Sequence, residues 1–525
     1  MKRKNFIILT AISAGALLSA CNKDFLERTP LDAYSNNVLW KSESDALAAL
    51  NGCYKEWEDV ENLIYMDCVS DNAYNQYFWE GFTAHGNGDA TPSDPDAKNR
   101  FTYTTIQKCN NFLENVDRVK MDEAKKNRMK AEARFLRAYK YFTLTQLYGD
   151  VPLVTKTVSM DEANTIKQAP QAEVRQFILD ELAAIAPQLE VTAADKGRAT
   201  RGAALALRAR LELFMAKYDD AIADAQKVMQ LGYQLYPVYS DLFRIQHENN
   251  SEVILDLQYM ENTLSNGWLG IMPSSGYGGW GSISPTQELV DAYEMKNGKL
   301  ITEAGSGYDA ANPYTNRDPR LQASIVVPGQ QYGGRFYDPI DPESGDYYQG
   351  DNNAKTGYLF RKFTYDLNDF ADMWNTGQNA IFIRYAEVLL TYAEAKIEKG
   401  QIDQSVYDAI DEVRNRAGMP DVDQTVYTGQ AKMRELVRRE RRVELALEGL
   451  RWYDIQRWKI GDQVRKGAIH GVRPGKVDPN TGALTLTGTN VVVETRKFDA
   501  SRNYLWPIPQ KEIDVNKNLK QNPNY

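Results

Sequence analysis

The chain has 525 residues, 43% hydrophobic and 25% charged, with a formal net charge of −9. That composition is ordinary for a globular protein with room for more than one core, and the acidic balance argues against nucleic acid as a general partner, because phosphate recognition needs a basic footprint. Four cysteines with no C-x-x-C pair exclude a zinc ribbon and a disulfide framework; Cys53, Cys68 and Cys109 read as buried thiols with room for one bridge at most.

Lys2, Arg3 and Lys4 open the chain, and a mostly apolar run follows from Phe6 to Ala20. This is too short to span a bilayer comfortably and long enough for a secretory signal, expected over residues 1–20. Leu18-Ser19-Ala20-Cys21 has the form of a bacterial lipobox, so Cys21 is the expected lipidation site. Several acyl chains on one residue anchor far more firmly than one. Asn22 rather than Asp fits release to an outer membrane, and the acidic "NKDFLE" fits a tether for export to the surface. No later apolar stretch is long enough to cross a membrane, so the lipid is the expected hold on it.

Helical spacing then dominates to about Val238. "SESDALAALNGCYKEW" carries a Ser cap, and "YTTIQKCNNFLENVDRV" repeats the theme. "DEAKKNRMKAEARFLRAYKYFTLTQLYGDVPL" predicts one long helix stopped by Gly149 and Pro152. "RGAALALRARLELFMAKYDDAIADAQKVMQLG" predicts a helix pair with "KYDD" as its turn and small Ala204, Ala209, Ala221 and Ala225 between the helices. A second pair of similar length, Arg384 to Gly418, has the same layout. Such units resemble tetratricopeptide-type repeats, which bury their faces only by stacking.

Between the two pairs, "SEVILDLQYM" predicts a strand, and the following stretch to about residue 380 is rich in Gly, Pro, Asn, Asp and aromatics. Loops of that length are uncommon unless functional. The predicted organisation is a helical region over 21–250, a loop-rich insertion with short strands over 251–380, and a second helical region over 381–525.

In "RELVRRERRVELALEGLRW", Leu436, Val443, Leu447 and Leu450 fall on one helix face together with Glu440. A carboxylate there needs a partner, and arginines are at hand. The interspersed glutamates favour an ion-paired structural helix over a nucleic-acid binder. "WPIPQ" reads as a rigid turn near the C-terminus.

Taken in order, "NFLENVDRV", "AEARFLRAYKYFTLTQLYGDVPLV", "NRDPRLQASI", "IRYAEVLLTYAEAKIEKG", "VRNRAGMP", "RRERRVELALEGLRWYDIQRW" and "YLWPIPQKEI" resemble the SusD/RagB family of outer-membrane nutrient-binding lipoproteins. The resemblance runs from the lipid cysteine to the C-terminus. It implies a mainly α fold, a SusD-like α-α superhelix of stacked helix pairs with a loop-rich, small-β insertion. It also implies a cell-surface protein that binds an oligosaccharide or polysaccharide without cutting it and hands it to a SusC-like TonB-dependent transporter. A RagB-like receptor for peptides or proteins is the alternative, and a surface glycoside hydrolase a more distant one.

Signatures of catalysis are thin. His85, His247 and His470 lie far apart with no ligand spacing, and neither G-x-S-x-G nor a Walker A run occurs. "GYGGWG" matches a dinucleotide fingerprint in letters only, because "MPSS" rather than a strand precedes it; a helix capped by Ser284 with Pro285 is expected just after. With 71 acidic residues some carboxylate pair always lies at a glycosidase-like distance, so pairs alone carry nothing. The acidic "DPIDPESGD" reads as a solvated loop rather than a calcium site. No cofactor and no metal are expected.

A pyranose offers an apolar C–H face and a polar rim, so its site needs exposed aromatic rings beside hydrogen-bonding groups. Aromatics on loops are therefore the informative ones. The first cluster, "SDNAYNQYFWEGF", contains Asp71, Asn72, Tyr74, Asn75, Tyr77 and Trp79; the second, "NGWLGIMPSSGYGGW", contains Asn266, Trp268, Tyr277 and Trp280. Arg335, Tyr347 and Tyr348 follow in a third, and "DFADMW" adds Trp374. The expected ligand contacts are Asp71, Asn75, Tyr77, Trp79, Trp268, Tyr277, Trp280 and Trp374. The family resemblance points to the same early loop and insertion loops, by position only.

Overall fold

A computed structural model of the chain describes residues 40–94 and 100–525; Cys21 and the expected signal lie outside these. Ser42 starts the first helix, α1 (Glu43–Tyr54), through a capping box in which Ser42 and Asp45 satisfy each other's backbone amides. α2 (Thr104–Asn115) packs on it, and α3 (Glu123–Tyr148) on α2. From Ala131 onward nearly all of α3 is buried, polar residues included, which is the signature of a helix enclosed on every side. Its end falls at Gly149, in a backbone conformation (φ 73°, ψ −113°) open to glycine alone.

The stack continues through α4 (Gln171–Ile185), α5 (Arg201–Phe214) and α6 (Tyr218–Met229), each against its predecessor. The turn between α5 and α6 is Met215–Lys217, with Ala216 left-handed at φ 56°. The expected turn "KYDD" is thus displaced. Asp219 and Asp220 instead form the first turn of α6, where carboxylates favour the positive end of the helix dipole. α6 then packs on α7 (Tyr385–Glu398), more than 150 residues further along, and α7 on α8 (Gln404–Arg416) and α9 (Gln430–Glu444). The mainly α architecture of stacked helix pairs is as expected. No helix among the described residues is long and apolar enough to cross a membrane.

Among the described residues the strands are short and form two-stranded ribbons only. β1 (Ala73–Asn75) pairs with β3 (Ile283–Pro285), and β2 (Val253–Leu257) with β4 (Ala380–Arg384), both antiparallel. Ser284 and Pro285 therefore belong to a strand. The helix after them runs Gln287–Ala292 and is capped by Thr286, not Ser284.

The arginine-rich segment is not one helix. α9 ends at Glu444, Leu447 turns left-handed at φ 62°, and a new helix, α10, runs Arg451–Trp458. Leu447 and Leu450 are buried, but beyond the face that Leu436 and Val443 share. Glu440 is paired as expected, with Arg320 and with Arg414 at 3.0 Å; both arginines come from outside α9. This pair belongs to a buried lattice. Arg384 reaches Glu252 (2.7 Å), Glu444 (2.6 Å) and Glu448 (2.7 Å), and Arg416 bridges Glu252 and Glu444. Lys362 closes on Glu448 at 2.8 Å.

Cys53, Cys68 and Cys109 are buried and unbridged. His85 is stacked on Trp506 with ring centroids 3.9 Å apart, and burial, then Arg465, push its pKa down to about 3. It is a neutral packing residue.

Candidate functional site: an aromatic platform

The register of β1 against β3, Ala73↔Pro285 to Asn75↔Ile283, decides where the loops meet. The chain leaving β1 and the chain entering β3 share one end of the ribbon, so residues 76–80 lie beside 278–282. Gln76 stitches them: its backbone N–H donates to the Ser282 carbonyl (3.0 Å) and its side-chain amide to the carbonyls of Trp280 (2.8 Å) and Gly281 (2.7 Å). Tyr77 Oη donates to Trp280 O at 3.4 Å and also to Asn352 Oδ1.

Above this stitching, Tyr77 and Trp79 are stacked, with centroids 4.4 Å apart and planes inclined 27°. Trp79 is 61% exposed and its neighbour Phe78, edge-on to it, 77% exposed. Trp280 and Trp374 are 46% and 38% exposed and lie 4.9 Å apart. Trp374 is held from two sides. Its indole N–H donates to Gly278 O (3.2 Å), and the chain just after it is fixed by mutual backbone bonds between Asn266 and Thr376 (3.0 and 2.9 Å). The ring lies flat on the chain at Gly270, where a Cβ would come within 2.3 Å of it. Gly281 serves likewise: at φ 55° its Cβ would meet the backbone of Asn353 and Ala354 at 2.8 Å.

The rings Tyr77, Trp79, Trp280 and Trp374, expected from sequence, are thus brought to one open surface. Three other expected contacts are not. Trp268 is fully buried, edge-on to Phe363 at 4.9 Å, because residues 268–271 form a tight turn that drives the indole inward. Asp71, 2% exposed, receives a bidentate bond from Arg451 (2.8 and 2.9 Å) and a further one from Arg442. Burial alone would raise its carboxyl, yet the two guanidiniums hold it well below the usual carboxylate range. Asn75 is buried as well, its amide donating to Glu80 and to the Ser282 carbonyl (3.2 Å) while accepting from Thr83 Oγ1 (3.0 Å). Asp71 and Asn75 position the platform from below and do not face solvent.

Tyr277 is half-buried. Its ring packs edge-on to Tyr332 (5.1 Å) under the Arg335 guanidinium (4.3 Å), and burial pushes its phenol up to about 12. Tyr347 and Tyr348 pair with each other at 4.7 Å on the neighbouring loop, which Asn353 ties back to Ser275 at 2.9 Å. Sequence reasoning missed Phe78, Gln76 and Asn352. Phe78 carried a usable signal, as one of three consecutive aromatics; the other two are recognisable only once the loops are side by side. Two nearby carboxylates are engaged: Glu80 is raised by burial and bonded to Asn75, and Asp346 is paired with Arg335 at 2.8 Å. Among the described residues no cluster of His, Cys, Asp and Glu is disposed to hold a metal.

A family model described as the SusD family matches residues 251–525, and one described as starch-binding and associating with the outer membrane matches residues 24–213. The crystal structure of a SusD-like carbohydrate binding protein from Bacteroides fragilis is 32% identical and superposes with a TM-score of 0.84, over 92% of this chain and 99% of that one. A laminarin-binding SusD-like protein superposes with a TM-score of 0.70 at 25% identity, over 93% of this chain and all of the other. SusD-like protein P2 of Formosa agariphila is 26% identical over 97% of this chain and 98% of its own.

Proposed function

Because the chain belongs to the SusD family, we propose that it captures an oligosaccharide or polysaccharide on the platform of Tyr77, Trp79, Trp280 and Trp374 and passes it on uncleaved. The carrying observation is the convergence of these rings, from three segments of chain, on one exposed surface that the backbone of Gly270 and Gly281 is shaped to hold. Stacking on the C–H face of a sugar is the chemistry such rings offer, and Asn352, bonded to Tyr77, and Arg335, over the Tyr277 ring, are polar groups beside them that suit hydroxyls. The engagement of Glu80 and Asp346 with protein partners favours binding over hydrolysis.

In this reading Cys21 carries the lipid that moors the protein to the outer membrane at the cell surface. A SusC-like TonB-dependent transporter receives the glycan. The description of the matched N-terminal family and the laminarin-binding relative support the carbohydrate and the membrane.

Laminarin and starch are therefore the first probes. Trp280→Ala and Trp79→Ala are each expected to lower affinity about tenfold, a loss of about 1.4 kcal/mol, with the melting temperature unchanged. Affinity that survives both substitutions would refute the platform as the site.

A further inference from the structure

A second concavity lies apart from the platform rings, with a volume of about 1030 Å³. It opens where the two family-matched regions face each other: residues 51–59, 102–105 and 195–198 on one side, 256–264 on the other. Junctions between structural units are favoured places for ligand pockets, and this volume is at the upper end of their range. Tyr54 and Tyr259 supply half-buried rings and Leu264 an exposed apolar lip.

The polar lining has both signs, with Lys196 and Asp59 at the rim and Asp256 in the wall. Lys196 and Asp59 are exposed; Asp256 is buried. Its Oδ2 accepts from Gln258 at 2.6 Å, and among the described residues it has no ion-pair partner, unlike Asp71 or Glu444 with their arginines. A buried carboxylate with no cation in contact, and Lys196 acting on it only from a distance, suits a hydroxyl donor. A mixed lining suits an uncharged ligand rich in hydroxyls, whereas an anionic or cationic one would call for a single sign.

The cleft and the platform share a wall. The turn closed by mutual backbone bonds between Met260 and Leu264 lines the cleft with Leu264. Its tip, Asn262, bonds the side chain of Asn375, the residue after Trp374 (2.6 and 3.3 Å). Asn262 is three residues from Tyr259 and two from Leu264, both of which line the cleft. Met260 and Leu264 both stand exposed along this ridge.

We propose that the cleft is a second binding segment of the same track, taking the continuation of an uncharged oligosaccharide whose first units stack on Trp280 and Trp374. This rests on the glycan-binding reading above and adds that the protein selects long chains over short ones.

The test is a length series, with trimers and octamers of β-1,3- and α-1,4-linked glucose and an array of neutral glycans of graded length. Lys196→Trp fills the mouth of the cleft from an exposed position, and Asp256→Asn removes the buried charge; unchanged melting of each variant checks its fold. Both are expected to lower octamer affinity about tenfold and to leave trimer affinity unchanged, while Trp280→Ala lowers both. Octamers no tighter than trimers in the unaltered protein, or octamer affinity unmoved by Lys196→Trp and Asp256→Asn, would overturn the shared track and leave the platform standing. Trimer binding that ignores Trp280→Ala would instead overturn the platform, and silence of the unaltered protein across the array would overturn both.

Discussion

Glu444 faces three arginines, Arg320 at 2.9 Å, Arg384 at 2.6 Å and Arg416, in a site closed to water. Burial would raise its carboxyl, but the arginines hold it well below the usual range, so the charge persists at every working pH. Such a cluster adds little net stability over an apolar core, yet breaking it leaves cations stranded. Glu444→Gln is expected to cost about 3–5 kcal/mol, read as a lower urea midpoint. Glu212 is the opposite case. It is buried on α5 beside Asp224, with Arg208 bridging the two at 3.1 and 3.0 Å. Burial, then Asp224, push it from an ordinary 4.5 up to about 8. The fold therefore favours its protonated form. Its stabilising contribution is complete below pH 4.5, falls as pH rises, and is gone above about 8. Glu212→Gln, which fixes the neutral form, should raise the melting temperature by about 1–2 °C at pH 9 and by nothing at pH 4. An equal gain at both values would show that the ionisation is irrelevant.

At the scale of elements, the platform exists because a three-residue ribbon aligns two loops and because glycine lets a ring lie against backbone. Gly270→Ala places a Cβ within 2.3 Å of the Trp374 ring and must displace the indole. We expect about a tenfold loss of glycan affinity with the helical core unaffected, so that circular dichroism and melting stay constant. Retained affinity would mean that Trp374 does not need its seat. The helices behind this were legible from local pattern: the capping box at Ser42, the stop at Gly149 and the Ala-rich pairs all use interactions within a few residues. The break after Glu444 was not, because the apolar spacing of Leu447 and Leu450 continues across it while Leu447 turns left-handed. The loops were legible in composition but not in direction. Trp268 and Trp280 sit in the same Gly-rich stretch, and the tight turn at 268–271 and the Phe363 ring, far along the chain, that take Trp268 inward cannot be read from its composition. Asp71 resembled a sugar contact for the same reason: its partner Arg451 is 380 positions away.

For the whole molecule, the two family-matched regions are joined by more than their linker. α6, which lies in that linker, packs on α5 of one region and α7 of the other, and α5 also touches α7 directly, so the helix stack passes from one region into the other. β2 and β4 pair within the C-terminal region, with Ala380 opposite Leu257, and α5 of the other region packs against both strands. At the crossing, Leu213, Ala221 and Ala395 form a small buried cluster in which the two alanines let α6 and α7 approach closely. Repeat stacks of this kind unfold through nearest-neighbour interfaces, and their cooperativity depends on how strong the weakest interface is. A crossing this closely packed predicts a single calorimetric transition. Ala395→Leu adds side-chain volume where no space exists and should cost about 1–3 kcal/mol through overpacking. The expected result is one transition moved to lower temperature. Two separate transitions in the variant would mark the α6–α7 contact as the weak interface, and two in the unaltered protein would show that the regions fold independently.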